Sequence, residues 1–101
     1  THVSFAEHIL AQAYYVNGKL DDAIAWAIRA DKHNARLTSN LRTLIASYAA
    51  TDRLEEARAL VRRHAEIVPA FRVSAWAART PMQGAIRSNR IKELLAAGMP
   101  D

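Results

Sequence analysis

The sequence predicts an all-α protein made of two antiparallel helix pairs and a C-terminal capping helix. Three observations predict it. First, the stretch from Leu41 to Pro69 repeats the plan of the stretch before it at an offset of about 34 residues. Leu44 falls on Leu10, Tyr48 on Tyr14, Leu54 on Leu20, Ala57 on Ala23 and Arg63 on Arg29. Second, apolar residues recur at three- and four-residue spacing within each half of the repeat, as on one face of a helix. Third, breakers fall where the halves should end, at Asn17-Gly18, Thr51-Asp52-Arg53 and Pro69.

The first helix is expected to start at Ser4, because Ser4-Phe5-Ala6-Glu7 has the form of a capping box. Ile9, Leu10, Ala13, Tyr14 and Val16 are expected to form its inner face, and Asn17-Gly18 to end it. The second helix begins near Leu20, with Asp21 and Asp22 set against the helix dipole, and runs to Lys32 or His33. Ala23, Ile24, Ala27, Ile28 and Ala30 make its inner side. Small residues such as Ala13, Ala23 and Ala27 let the two backbones approach, while Leu10, Tyr14 and Leu20 fill the space between them.

The third helix is expected to be capped by Thr38 or Ser39 and to turn Leu41, Leu44, Ile45 and Tyr48 inward. Asp52 and Glu55 have the spacing of a cap for the fourth helix, whose core residues are Leu54, Ala57, Leu60, Val61, Ala65 and Val68. Pro69 disfavours helix at Val68 and stops it there. After Pro69 the repeat fades. Phe71 to Trp76 reads as a short extended or irregular helical connector, and Thr80-Pro81-Met82-Gln83 as the start of a last helix. Gly84 and Ser88-Asn89 are possible interruptions of that helix; Ile86, Ile91, Leu94 and Leu95 form its apolar side, and Gly98 and Pro100 end it. It is expected to cover the open face of the second pair as a terminal lid.

These features resemble the tetratricopeptide repeat family over roughly Ser4 to Phe71, with matches at Leu10, Ala11, Tyr14, Gly18, Ala23, Ala27 and Ala30, then at Leu41, Leu44, Tyr48, Ala57 and Pro69. Glu7, Ile45, His64, Asp52 and Ala35 depart from the family pattern. The resemblance implies a short right-handed solenoid forming one domain over residues 1–101. Its repeats span about 4–37 and 38–71, and the connector and capping helix span 72–101. It also implies a groove lined by the first helix of each pair, which would hold His8, Gln12, Tyr15, Ser39, Arg42, Ala46 and Ala49. That groove would take a protein or peptide partner, with Arg42 able to pair a carboxylate bidentately. The tail Leu94 to Asp101 is similar to the C-terminal end of bacterial multidomain regulators. In those proteins a tetratricopeptide region follows a nucleotide cyclase or winged-helix domain, which implies a cytoplasmic signalling or scaffolding role. The chain also begins without a methionine, as an excised piece of such a protein would.

The residues offer no catalytic grouping, metal site or cofactor motif. His2, His8, His33 and His64 lack ligand spacing, and His8 is expected to be exposed in the groove while His64 packs structurally. Asp21-Asp22 and Glu55-Glu56 are first-turn acids, and neighbouring positions on a helix point about 100° apart. There is no cysteine and no apolar run long enough to cross a membrane. The net charge of +4, from 14 basic and 10 acidic residues, is interleaved rather than concentrated. Glu55, Arg58, Arg62 and Glu66 form a mixed, solvated stripe, which disfavours a nucleic-acid partner. Trp26 and Trp76 are expected to pack against the core. The expectation is therefore a non-catalytic interaction module, with self-association as a homo-oligomer the alternative. On that reading Arg42→Glu or Tyr15→Ala weakens partner binding without unfolding the domain.

Overall fold

The computed structural model describes residues 2–101. Six helices follow in order: α1 (His2–Val16), α2 (Leu20–His33), α3 (Thr38–Ala50), α4 (Leu54–Ile67), α5 (Val73–Ala77) and α6 (Gly84–Ala96). There is no strand among the described residues. α1 packs on α2, α2 on α3 and α3 on α4, while α6 returns to pack on α3 and α5.

The internal repeat is written into the backbone hydrogen bonds. Lys19 N–H donates to Tyr14 O at 2.9 Å, and 34 positions on Arg53 N–H donates to Tyr48 O at 2.8 Å. Gly18 to Tyr15 and Asp52 to Ala49 form a second matching pair; Asn34 to Ala30 and Val68 to His64 form a third. Leu37 to Asn34 and Phe71 to Val68 continue the match beyond the second helices. Both hairpins thus turn by the same helix-ending motif, which needs one residue in the left-handed region. Gly18 supplies it in the first at φ 75°, and Asp52, without glycine's freedom, supplies it in the second at φ 60°. α5 then begins where a third pair would begin, but it stops after five residues.

Several local expectations are corrected. Ser4 and Glu7 do not cap α1, which already runs from His2; both are buried within it. α3 and α4 follow Leu37 and Arg53 and lack side-chain caps, so Thr38, Ser39 and Asp52 do not serve as such. α4 keeps Glu55 and Glu56 in its first turn, where the dipole favours them. Thr80 accepts a hydrogen bond from Met82 N–H in a turn, and α6 starts only at Gly84. It then runs through Ser88-Asn89 unbroken, with Ser88 Oγ bonded back to Gly84 O. Of the two forms expected for the connector, extended or irregular helical, it takes the helical one over α5.

The largest correction concerns α1. Its buried residues are Ser4, Glu7, His8, Ala11 and Tyr15, whereas Ile9 and Leu10, expected inside, are 52% and 40% exposed. Ala13 and Val16 are exposed too, and Tyr14 is half-buried. The polar face turns inward because it finds partners there. Glu7, with a side chain only 6% exposed, accepts from Arg29 Nε at 3.2 Å and lies 2.6 Å from His33 Nδ1, both on α2. Burying a carboxylate is tolerable only when it is paired in this way. The His33 ring, and then Arg29, hold the Glu7 carboxyl below its usual range against the opposing effect of burial.

The core proper is centred on α3, with Leu41, Leu44, Ile45 and Ala46 at most 2% exposed. Ala23 and Ala27 of α2, Ala57 and Leu60 of α4, and Leu94 of α6 close around it. Trp26 and Trp76 are half-buried against this cluster, while Ala65 is exposed. Arg63 of α4 grips Asp31 of α2 with two hydrogen bonds of 3.0 and 2.9 Å, and the Glu55, Arg58, Arg62 and Glu66 stripe is solvent-exposed. The principal extents of 31, 29 and 26 Å are nearly equal, because α6 folds back onto the helix pairs instead of extending them.

Candidate functional site

The first helices of the two pairs, α1 and α3, present a shared inner face, and α6 lies across it. This sets the surroundings of every residue expected to line a groove. Gln12 Oε1 accepts from Arg90 Nη2 at 2.8 Å and lies 3.0 Å from Thr43 Oγ1. Tyr15 is 7% exposed, donates its hydroxyl to Glu93 and carries the Arg90 guanidinium 4.3 Å above its ring. Ala46 is fully buried, and Ala49 borders a depression shared with Lys92 and Glu93. Burial pushes the Tyr15 hydroxyl up to about 12, and burial also raises the Glu93 carboxyl.

His8, Ser39 and Arg42 sit at the other end of the face, beyond the reach of Arg90's hydrogen bonds. His8 is buried at 9% exposure, contrary to the exposed position expected for it. Its Nδ1 makes no hydrogen bond among the described residues. Burial lowers its basicity, and the charges of Arg90 and Arg42 lower it further, with the Asn40 side chain opposing. Ser39 O accepts from Thr43 Oγ1. Arg42 is positioned by α4 and the connector: its Nη1 lies 3.2 Å from His64 Nε2, and its guanidinium lies 5.3 Å from the Phe71 ring centre.

Arg42 opens onto a cleft of about 490 Å³ between α3 and α5. Arg72, Arg79, Phe71, Trp76 and Thr80 are among its other walls, and no acidic residue lines it. A smaller recess of about 220 Å³ adjoins it, reaching His8, Gln12 and Arg90 and sharing Arg42, Trp76, Thr80 and Pro81 with the cleft. None of Arg42, Arg72, Arg79 and Arg90 forms an ion pair among the described residues. Burial and the charge of Arg90 bring the Arg42 guanidinium down to about 10. Burial and Arg42 bring His64 down to about 4, so at neutral pH its Nε2 accepts the Arg42 hydrogen bond.

Arg72, Arg79 and Arg90 are absent from the set read from the sequence, though a signal for them exists. From Ile67 to Lys92 the chain carries four arginines and one lysine and no acidic residue. Whole-chain charge counting conceals this, since the acids are concentrated in the two helix pairs.

The opposite side of α1 is a second surface feature. Val3, Phe5, Ala6, Ile9, Leu10, Ala13 and Val16 are all exposed there; exposed His2 shares this face, and no Asp, Glu, Lys or Arg does. Among the described residues no three histidine, aspartate or glutamate side chains gather as they would around a metal ion. No helix of residues 2–101 is long and apolar enough to cross a membrane. Comparison with known proteins found no family model, no curated protein and no solved structure that matches this chain.

Proposed function

We propose that this domain is a non-catalytic protein–protein interaction module, built as a short tetratricopeptide-like solenoid and serving a larger bacterial regulatory protein. The observation that carries this reading is the uncharged apolar face of α1, with Phe5 56% and Ile9 52% exposed. Contiguous exposed apolar surface of this kind marks a contact surface. The repeat says what kind of contact. At the 34-residue offset Ile9 and Leu10 correspond to Thr43 and Leu44, which α3 buries against the rest of the fold. The α1 face therefore has the position by which one helix pair stacks on another, and its partner is a protein helix surface. The inner groove, by contrast, is filled over much of its length by α6.

Self-association through the same face is the second reading, favoured because a face without Asp, Glu, Lys or Arg sets little charge against its own copy. Sedimentation velocity over a range of concentrations separates the two. A dimer abolished by Ile9→Asp supports self-association, and a monomer at every concentration removes it. For the first reading, Ile9→Asp in the parent protein should disrupt its assembly while leaving the thermal midpoint of the isolated domain within a degree or two, since surface changes are usually within about 0.5 kcal/mol. Unaltered assembly would sink it.

A further inference from the structure

The geometry points to a second, separate binding site: the cleft between α3 and α5 takes a phosphate ester carrying a planar ring, of the size of a nucleoside monophosphate. The argument begins with charge. Arg42, Arg72 and Arg79 all line one cleft whose lining contains no carboxylate. Guanidinium groups present a planar fork of donors that matches phosphate oxygens. Arginines gathered this way normally pair with acids of the same chain, as Arg63 does with Asp31 and Arg29 with Glu7. Here no acid lines the cleft and none occurs from Ile67 to Lys92; Asp101, whose backbone O accepts from Ser74 Oγ of α5, is not among the lining residues.

Burial makes the field matter. Arg42 is half-buried and is held by His64 and Phe71, so it cannot swing into solvent without losing both contacts. Its depressed basicity follows from that burial first and from the charge of Arg90 second. In the adjoining recess Arg90 Nε is buried with no hydrogen-bond partner among the described residues, whereas buried His8 has the Asn40 side chain beside it. A buried donor left in this way favours a site that an oxygen-rich group completes.

The rest of the lining selects the ligand. Trp76 and Phe71 supply aromatic surface, and the Thr80 hydroxyl supplies a neutral polar contact. Aromatic side chains take nucleobases by stacking regardless of base identity. A space of about 490 Å³ is within the range of small-molecule sites and short for an extended peptide. A dianionic phosphate also offsets more of the charge of three arginines lining one cleft than one carboxylate does. This site is distinct from the α1 face, and either can fail without the other.

Isothermal titration at low ionic strength with adenosine monophosphate, adenosine and inorganic phosphate tests the assignment. Adenosine monophosphate should bind at least about tenfold more tightly than either fragment, because the charged and planar parts are read by different walls. Arg79→Ala and Arg72→Ala remove exposed side chains that make no ion pair, so each should weaken that binding about tenfold with the thermal midpoint unchanged. No saturable binding of adenosine monophosphate at millimolar concentration overturns the proposal. So does equal affinity for inorganic phosphate, or binding indifferent to both substitutions.

Discussion

Arg42 and His64 are bonded across the α3–α4 hairpin, 3.2 Å apart, with neither the guanidinium nor the ring facing a carboxylate. The His64 side chain is 1% exposed, packs edge-on against Phe71 at 4.8 Å, and accepts from Arg42 only while neutral. The pair ties the core of the second hairpin to the rim of the arginine-lined cleft.

This pair makes stability depend on pH. His64 ionises near 4 in the folded chain against 6.5 when unfolded. Between those values the unfolded state binds more protons, so stability is fully present above about pH 6.5 and is lost as pH falls toward 4. His8, also lowered, acts in the same direction. Urea unfolding should show His64 contributing a loss on the order of 2 kcal/mol between pH 7 and 4. The slope in that window should flatten in His64→Gln; an unchanged slope would mean that the ring is not buried as described.

Arg90 joins α6 to the inner face. It is 2% exposed, bonds Gln12 and lies on the Tyr15 ring. Arg90→Ala should cost about 2–4 kcal/mol, through lost packing and the loss of its hydrogen bond to Gln12, which keeps Thr43 Oγ1 as a partner. Amide hydrogen exchange should then accelerate in α6 before it does in α2. Tyr15→Ala belongs with it, as a core truncation rather than the neutral surface change expected from the groove reading.

Asp52 holds a left-handed backbone at φ 60°, where its counterpart in the first hairpin is glycine. Asp52→Gly should relieve that strain and stabilise by about 0.5–1 kcal/mol, net of the extra chain entropy that glycine brings to the unfolded state. Thermal denaturation measures it, and destabilisation would show that the Asp52 side chain contributes more than its backbone strain costs.

The outer face of α1 can be tested by building on it. Placing an extra copy of residues 4–37 directly before the same repeat supplies the helix pair that the 34-residue offset calls for. The lengthened protein should melt in one transition several degrees higher, since stacked repeats add interface stability. Two separate transitions, or an unchanged midpoint, would mean that the face is not a stacking surface.

Much of the fold was legible in the order of residues. Gly18 and Pro69 mark helix ends by their own backbone chemistry, Asp21-Asp22 and Glu55-Glu56 mark helix starts, and the Leu10/Leu44 and Tyr14/Tyr48 register marks the repeat. Each of these signals acts within a few residues, or by simple comparison of one pair with the other. The bounds of α2 and the end of α4 at Ile67 follow from them.

Which way α1 faces was not legible. Both of its arcs include apolar residues, so a helical period alone cannot rank them. The choice was made by Arg29 and His33 reaching Glu7 from α2, and by Arg90 and Glu93 reaching Gln12 and Tyr15 from 78 positions away. The arginine-lined cleft has the same origin. Arg42 belongs to the second helix pair and Arg72 and Arg79 to the connector, and no local pattern relates them. Periodicity and backbone preference act along the chain and so could establish helices, turns and repeat; burial, pairing of charge and the closing of α6 over α1 and α3 depend on groups distant in sequence, and only the folded arrangement brings those groups together.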